Sequence, residues 1–361
     1  MITEILTPNI EISWLPWAVA YFFFIGLSIT AVILTLPGIL FGQKHLLGVT
    51  RVAMFIMLIC AIVGPVALLA DLHQPARFWH FYAHITPWSW MSIGAIFLPL
   101  YVVATFLYSW LFLRPALLEN KAKRGIAGSI SRILGMGSWQ GQYLLKPVAI
   151  ITLILAMIIA LYTGSEVAIV ASRVLWNSYL IPVIFFITAL LGASSASFII
   201  AYLMGEDSFT LNRLSQYNRW ISVTFLVFLL IWFILAATTS GTEANALTQL
   251  KDSVQWQLNL VVLIILSLFT AVFSTNTALK LNLLATMSGI GISWFFRWLI
   301  FIDGQAIPKY GAGFYRYELP MGAEGLLGMV GVFGLWLFLA IIVYELLPWK
   351  SIMNSQVQVQ S

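Results

Sequence analysis

The chain is expected to fold as an all-α integral membrane protein, a polytopic bundle of about nine transmembrane helices with no soluble domain large enough for an enzyme core. Three observations predict this. Of 361 residues, 61% are hydrophobic and only 9% are charged, against about 25% charged in a soluble domain. Mean hydropathy is +0.96, so a water-exposed surface of this composition would be greasy, whereas lipid accepts it. The apolar residues also fall into separate runs of about 20, the length that crosses a ~30 Å hydrocarbon core.

Nine runs meet that length. The first covers 14–41 and the second 52–70, which contains the single cysteine, Cys60. One thiol builds neither an internal disulfide nor a zinc or iron–sulfur site, so Cys60 reads as a small buried hydrophobe. The third run, 88–113, opens on Pro87-Trp88-Ser89-Trp90, whose indoles suit the membrane interface. The fourth, 147–163, is short, and the fifth, 177–204, is long. The remaining runs are 220–240, 254–275, 280–302 and 325–347. Residues 1–350 therefore form one transmembrane domain, and the polar tail 351–361 is expected to be disordered. The start, Met1-Ile2-Thr3-Glu4, lacks the basic region of a cleavable signal, so the first run stays in the membrane.

Lysine and arginine orient the bundle. Twelve of them lie in one set of connections: Lys44, Arg51, Arg114, Lys121, Lys123, Arg124, Arg132, Lys146, Arg213, Arg219, Lys280 and Lys350. Five lie in the other set: Arg77, Arg173, Lys251, Lys309 and Arg316. The positive-inside rule then places loop 114–146 and the C-terminus in the cytoplasm and the N-terminus outside. This loop, rich in Gly, Ser and Lys, reads as a linker between spans 1–3 and 4–9. The net charge of +5 follows from this topology, and there is no nucleic-acid-binding module.

Candidate chemistry gathers on the outer side. After the second run the chain reads Asp71-Leu72-His73-Gln74-Pro75-Ala76-Arg77-Phe78-Trp79-His80-Phe81-Tyr82-Ala83-His84, with three of the four histidines. Arg77 is suited to gripping a carboxylate or a partner protein, and the aromatic row to a flat amphiphile or a docking surface. The plainer reading is an interfacial loop in which Asp71 and Arg77 pair. The fourth run ends Tyr162-Thr163-Gly164-Ser165-Glu166, with Arg173 and Trp176 beyond. A tyrosine hydroxyl at membrane depth can hydrogen-bond a quinone or hydroquinone oxygen, with Glu166 beside it to take a proton. A belt tyrosine ahead of a helix-ending glycine is the competing reading. Arg297, inside the eighth run, is a costly charge expected to face the bundle interior with a partner and to serve function. The competing reading is a structural ion pair with Asp303.

Absences also inform. His45, His73, His80 and His84 all sit in loops or at run ends, so no haem-ligating pair is expected inside the bundle. None of the 13 acidic residues falls in the middle third of a run, which argues against a driven proton channel.

These same stretches resemble the NrfD/polysulfide-reductase family of membrane anchors. The shared traits are Asp-Leu-x-x-Pro-x-Arg-Phe (Asp71 to Phe78), Pro-x-Ser-Trp (Pro87 to Trp90), Tyr-Thr-Gly (Tyr162 to Gly164) and a late helix bearing Arg297. The likeness extends from about residue 12 to residue 347. It implies an inner-membrane subunit that oxidises menaquinol near the periplasmic face. Electrons would pass to a docked four-cluster iron–sulfur subunit and, through it, to a molybdopterin catalytic subunit, in anaerobic respiration. No haem and no metal would belong to the membrane subunit itself, whose other surroundings are lipid. By the resemblance Tyr162 contacts the quinone, and Asp71 and Arg77 belong to the loop under the iron–sulfur partner. Trp79 and His80 are expected to dock that partner too, Glu166 or Asp71 to take the protons, and Arg297 to help bind the quinone. Other members place a polar quinone ligand in the first span. This chain has Trp14-Leu15-Pro16-Trp17-Ala18-Val19-Ala20-Tyr21 there, so Trp17, Tyr21 or His73 stands in. Two other classes compete: a solute transporter, for which Ser194, Ser195, Ser197 and Asn276 to Asn282 are the available polar groups, and a passive scaffold without a quinone site.

Overall fold

The computed structural model describes residues 12–72, 74–307 and 317–349. His73, Pro308, Lys309, Arg316 and the tail 351–361 lie outside the described residues. Within the described residues there is no strand, and nine helices are long and apolar enough to cross a membrane: Pro16–Ile39, Lys44–Asp71, Trp90–Asn120, Gln142–Ala168, Leu180–Met204, Ser208–Thr238, Val254–Phe273, Leu279–Ala306 and Leu326–Leu346. They correspond one to one with the nine expected runs and are called spans one to nine.

Their ends differ from the apolar runs in an instructive way. Span three continues past Leu113 to Asn120, span four begins at Gln142, and span six begins at Ser208 rather than near 220. An apolar run registers only the part of a helix that sits in hydrocarbon, while the helix itself continues into polar surroundings. Span six starts where Asp207 caps it, its carboxylate accepting the Thr210 amide at 3.1 Å; such a cap satisfies one of the first-turn amides. Span five stops at Met204, followed by Gly205 in the left-handed region (φ +71°), the usual way to end a helix.

Spans one, two and five form the centre. The apolar window of span one is 89% buried and that of span nine 17%. Span one packs closely on span two because Gly64 has no side chain: a Cβ there would come within 3.2 Å of the Ile25 amide nitrogen. Small residues at such crossings let the backbones approach, which drives helix association in lipid. Spans one to four make one packed group and spans five to eight another, joined by spans one, two and four against span five, with span nine against spans one and two. Segment 114–146 is therefore not a linker between spans 1–3 and 4–9. Span four packs back on spans one and three, and the segment between holds a short helix, Ile126–Leu134.

Several polar groups inside the bundle pair with one another, which offsets the cost of placing them in hydrocarbon. Span one carries Tyr21, Ser28 and Thr35 at seven-residue spacing, and span three carries Gly94, Tyr101 and Tyr108 at the same spacing. Tyr101 and Ser28 hydroxyls lie 2.7 Å apart and Tyr108 and Thr35 hydroxyls 2.9 Å apart, all buried. These two rungs set the register of span three against span one.

Arg297 is 2% exposed and meets oxygen atoms of the protein interior. It donates to the Phe22 carbonyl (2.8 Å), the Ser293 carbonyl (2.6 Å) and hydroxyl (3.0 Å), and the Phe185 carbonyl (3.3 Å). It thus ties span eight to spans one and five. Asp303, its expected partner, is instead bonded by Asn259 of span seven, at the end of a π-helical turn, Leu299–Asp303.

Each face of the bundle has its own closure. At one face Arg51 of span two bonds Glu206, just beyond span five, and donates to the Trp349 carbonyl at 3.2 Å, so three parts of the chain meet. Burial pushes the Glu206 carboxyl up from its ordinary value while Arg51 pulls it down. At the other face Gln305 accepts the amides of Ser13 and Trp14, both at 3.1 Å. Arg173 donates to the Gln305 carbonyl at 2.8 Å, and Trp176 to the Ile300 carbonyl at 2.6 Å. Burial lowers the Arg173 guanidinium from its ordinary value.

Candidate functional site

A cleft of about 580 Å³ opens between spans two and three, with span four as its inner wall. Its sides are apolar: Leu68, Leu69 and Leu72 from span two and its end, Leu98, Val103 and Phe106 from span three. Leu69, Val103 and Phe106 are 41%, 56% and 45% exposed. These exposed residues all belong to helices long and apolar enough to span a membrane. Phe78, Phe81 and Tyr82, from the loop after span two, close one end of it. The prolines inside these helices, Pro65 and Pro99, also line it. Each removes the amide that would bond the carbonyl four residues earlier and bends its helix.

Among the described lining residues only Tyr82, Tyr162 and Glu166 have polar side chains. Tyr162 and Glu166 stand four residues apart on span four, which puts both on one helix face. Their side-chain groups lie within reach of each other, and the buried Tyr21 hydroxyl, from span one, lies near the Tyr162 hydroxyl. Tyr21 is 1% exposed, and its oxygen has no hydrogen bond of ordinary geometry. The position of Tyr162 depends on Gly94 of span three: a Cβ there would overlap its ring and sit 2.6 Å from its hydroxyl oxygen. On the other flank Gly164 lets Pro182 of span five press against span four. The Thr163 hydroxyl turns inward to the Ile159 carbonyl at 2.9 Å.

The remaining candidates divide by position. Asp71 is half-buried at the end of span two, beside cleft-lining Leu72. Arg77, Trp79 and His80 are exposed around two short helical turns outside the cleft, Pro75–Arg77 and His80–Ala83, with Trp79 53% exposed. Trp79 and His80 rings stack edge-on at 4.0 Å. Trp17 points elsewhere, against span nine, where a Cβ on Gly328 would lie 2.7 Å from its ring. Arg297 lies at a separate small pocket with Phe22, Gly26 and Thr163. So the structure brings Tyr162, Glu166 and, behind them, Tyr21 together, and leaves Trp17 and Arg297 off the cleft. Sequence reading missed Gly94, Pro65 and Pro99 as cleft residues, and left the aromatic row Phe78–Tyr82 open between holding a flat amphiphile and docking a partner. The two mid-helix prolines were the available signal. Among the described residues no group of three or more His, Cys, Asp and Glu is arranged to hold a metal.

Fold and cleft together define a polytopic α-helical membrane protein with a large apolar cleft between its spanning helices. The chain belongs to the NrfD family: the family described as Polysulphide reductase, NrfD, matches residues 6–309. It is 35% identical to the tetrathionate reductase C subunit of Salmonella typhimurium, over 96% of both chains. It is 23% identical to the selenate reductase C subunit of Mesobacillus selenatarsenatis, over 96% of this chain and 88% of that one. A protein NrfD homolog of Haemophilus influenzae is 24% identical, over 76% of this chain and 87% of its own.

Proposed function

We propose that this chain is the membrane anchor and quinol-oxidising subunit of a periplasmic molybdopterin oxidoreductase complex, with tetrathionate as the terminal acceptor. The observation that carries the reading is the cleft: apolar walls, a mouth between spanning helices, and a Tyr162–Glu166 pair as its polar end beside the loop after span two. A quinol travels in the bilayer, so its site needs lateral entry, an apolar slot for ring and tail, and a few polar atoms for the hydroxyls. The acceptor follows the relative named for tetrathionate reductase, which aligns over 96% of both chains.

In this reading menaquinol is the substrate, entering between Leu69 and Phe106. Tyr162 hydrogen-bonds one hydroxyl oxygen, and Glu166 takes that proton. Asp71, at the outer end of span two, takes the second toward water. The two electrons leave to a four-cluster iron–sulfur subunit seated on Arg77, Trp79 and His80, and from there to the molybdopterin subunit. Both protons are released on the side where the electrons depart, the periplasm, so the step moves little net charge across the membrane.

The test uses the purified complex in quinol-loaded vesicles. Tyr162→Phe and Glu166→Gln should each cut quinol-driven turnover by about 100-fold, the scale of a lost acid–base group. Reduction of the acceptor by a viologen dye, and assembly of the complex, should stay normal. Unchanged quinol turnover would favour a passive scaffold. Proton uptake from the cytoplasmic side would refute the proposed release route.

A further inference from the structure

The segment joining spans three and four contains a nine-residue helix, Ile126–Leu134, less than half of what a crossing needs. It is two-sided. Gly128 and Ser131 are buried against the bundle. Ile126, Ile130 and Ile133, spaced to share the opposite face, turn away from it, with Ile126 73% and Ile133 65% exposed. Further along the segment Met136 and Tyr143 are 74% and 72% exposed.

The strip is held in place by internal bonds. Arg114, 2% exposed, donates to the carbonyls of Trp139 (2.5 Å), Met136 (2.9 Å) and Leu134 (3.2 Å), with its guanidinium against the rings of both Trp110 and Trp139. Lys121 donates to the Gly137 carbonyl at 2.8 Å. With those two cations committed inward, Lys123, Arg124, Arg132 and Lys146 remain exposed. Among the described residues none of the four meets a carboxylate. Residues 114–146 carry six basic side chains and one acidic, an excess as large as the whole chain's net +5.

We propose that this collar is a binding surface for anionic phospholipid in the leaflet it borders. The isoleucine strip would sink to the headgroup–acyl boundary, and Lys123, Arg124, Arg132 and Lys146 would meet lipid phosphates. A helix with a large apolar face and a basic rim lies in that plane, and each cation near an anionic surface raises partition by about five-fold. This proposal stands apart from the quinol reading, since its readout is lipid retention.

The experiment places the full-length subunit, alone and in its complex, in nanodiscs of equimolar phosphatidylglycerol and phosphatidylcholine. Lipids retained after detergent extraction are counted by native mass spectrometry. The wild type should retain phosphatidylglycerol at least about five-fold over phosphatidylcholine, the effect of a single cation. K123Q/R124Q/R132Q/K146Q should lose that preference, I126S/I133S should weaken retention of both lipids, and R219Q/K280Q, basic positions elsewhere on this face, should keep it. The altered side chains of the collar are exposed, and thermal unfolding of each variant checks folding. An unchanged preference in the quadruple variant, an equal loss in R219Q/K280Q, displacement by inorganic phosphate at millimolar levels, or protection of this face by another subunit of the complex would overturn the proposal.

Discussion

Gly94 is the residue on which the geometry of the cleft turns. Its missing side chain leaves the space that the Tyr162 ring occupies, so Gly94→Ala must push that ring aside. Overpacking of this kind costs about 1–3 kcal/mol. The expected result is lower thermal stability and roughly a ten-fold or greater loss of quinol turnover, measured by steady-state kinetics on the intact complex, as a misplaced contact group predicts. Normal turnover would mean that ring placement does not matter. Legibility at this scale was uneven for physical reasons. Tyr162 and Glu166 could be read as one site because a four-residue spacing on a helix fixes a shared face. The setting of Arg297 could not. Its partners are mostly backbone carbonyls of Phe22, Phe185 and Ser293, and a carbonyl belongs to every residue, so no letter marks it. Tyr82, likewise, looks like any interfacial aromatic until the loop folds over the cleft.

Between elements, the two hydroxyl rungs joining spans one and three allow a quantitative check. Hydrogen bonds between membrane helices contribute on average about 0.6 kcal/mol each. Tyr108→Phe and Thr35→Val should each destabilise by about that amount, and the double variant by little more than either alone. Equilibrium unfolding in mixed micelles measures this, and strict additivity would show that the rung contributes nothing as a pair. The seven-residue spacing that builds the rungs was present in the sequence, yet each of these hydroxyls, taken singly, also suits an ordinary helix surface. Span number was fully legible, since hydrocarbon thickness sets a minimum length that few other constraints imitate. Span ends were not, because Asn120, Gln142 and Ser208 sit on helices that outrun the apolar slab.

For the whole molecule, the grouping into spans one to four and five to eight was hidden by the segment 114–146. Glycines, serines and lysines there suggest a tether, and only the folded chain reveals Arg114 gathering its carbonyls. The two groups are also clasped by the Arg51–Glu206 pair, whose side chains are 9% and 1% exposed. Removing one partner strands a buried charge, at a cost of about 3–5 kcal/mol. Arg51→Met and Glu206→Met should each lower the yield of folded protein sharply, and the double Met variant should recover much of it. Fluorescence-detected size exclusion reads the outcome, and no recovery would mean that the pair is not the cause. Arg51 also bonds a carbonyl 298 positions further along the chain, that of Trp349. A ribosome has therefore passed residue 349 before this contact can form. Any nascent chain paused in the insertion machinery ahead of the ninth span holds Arg51 with one acceptor still unmade.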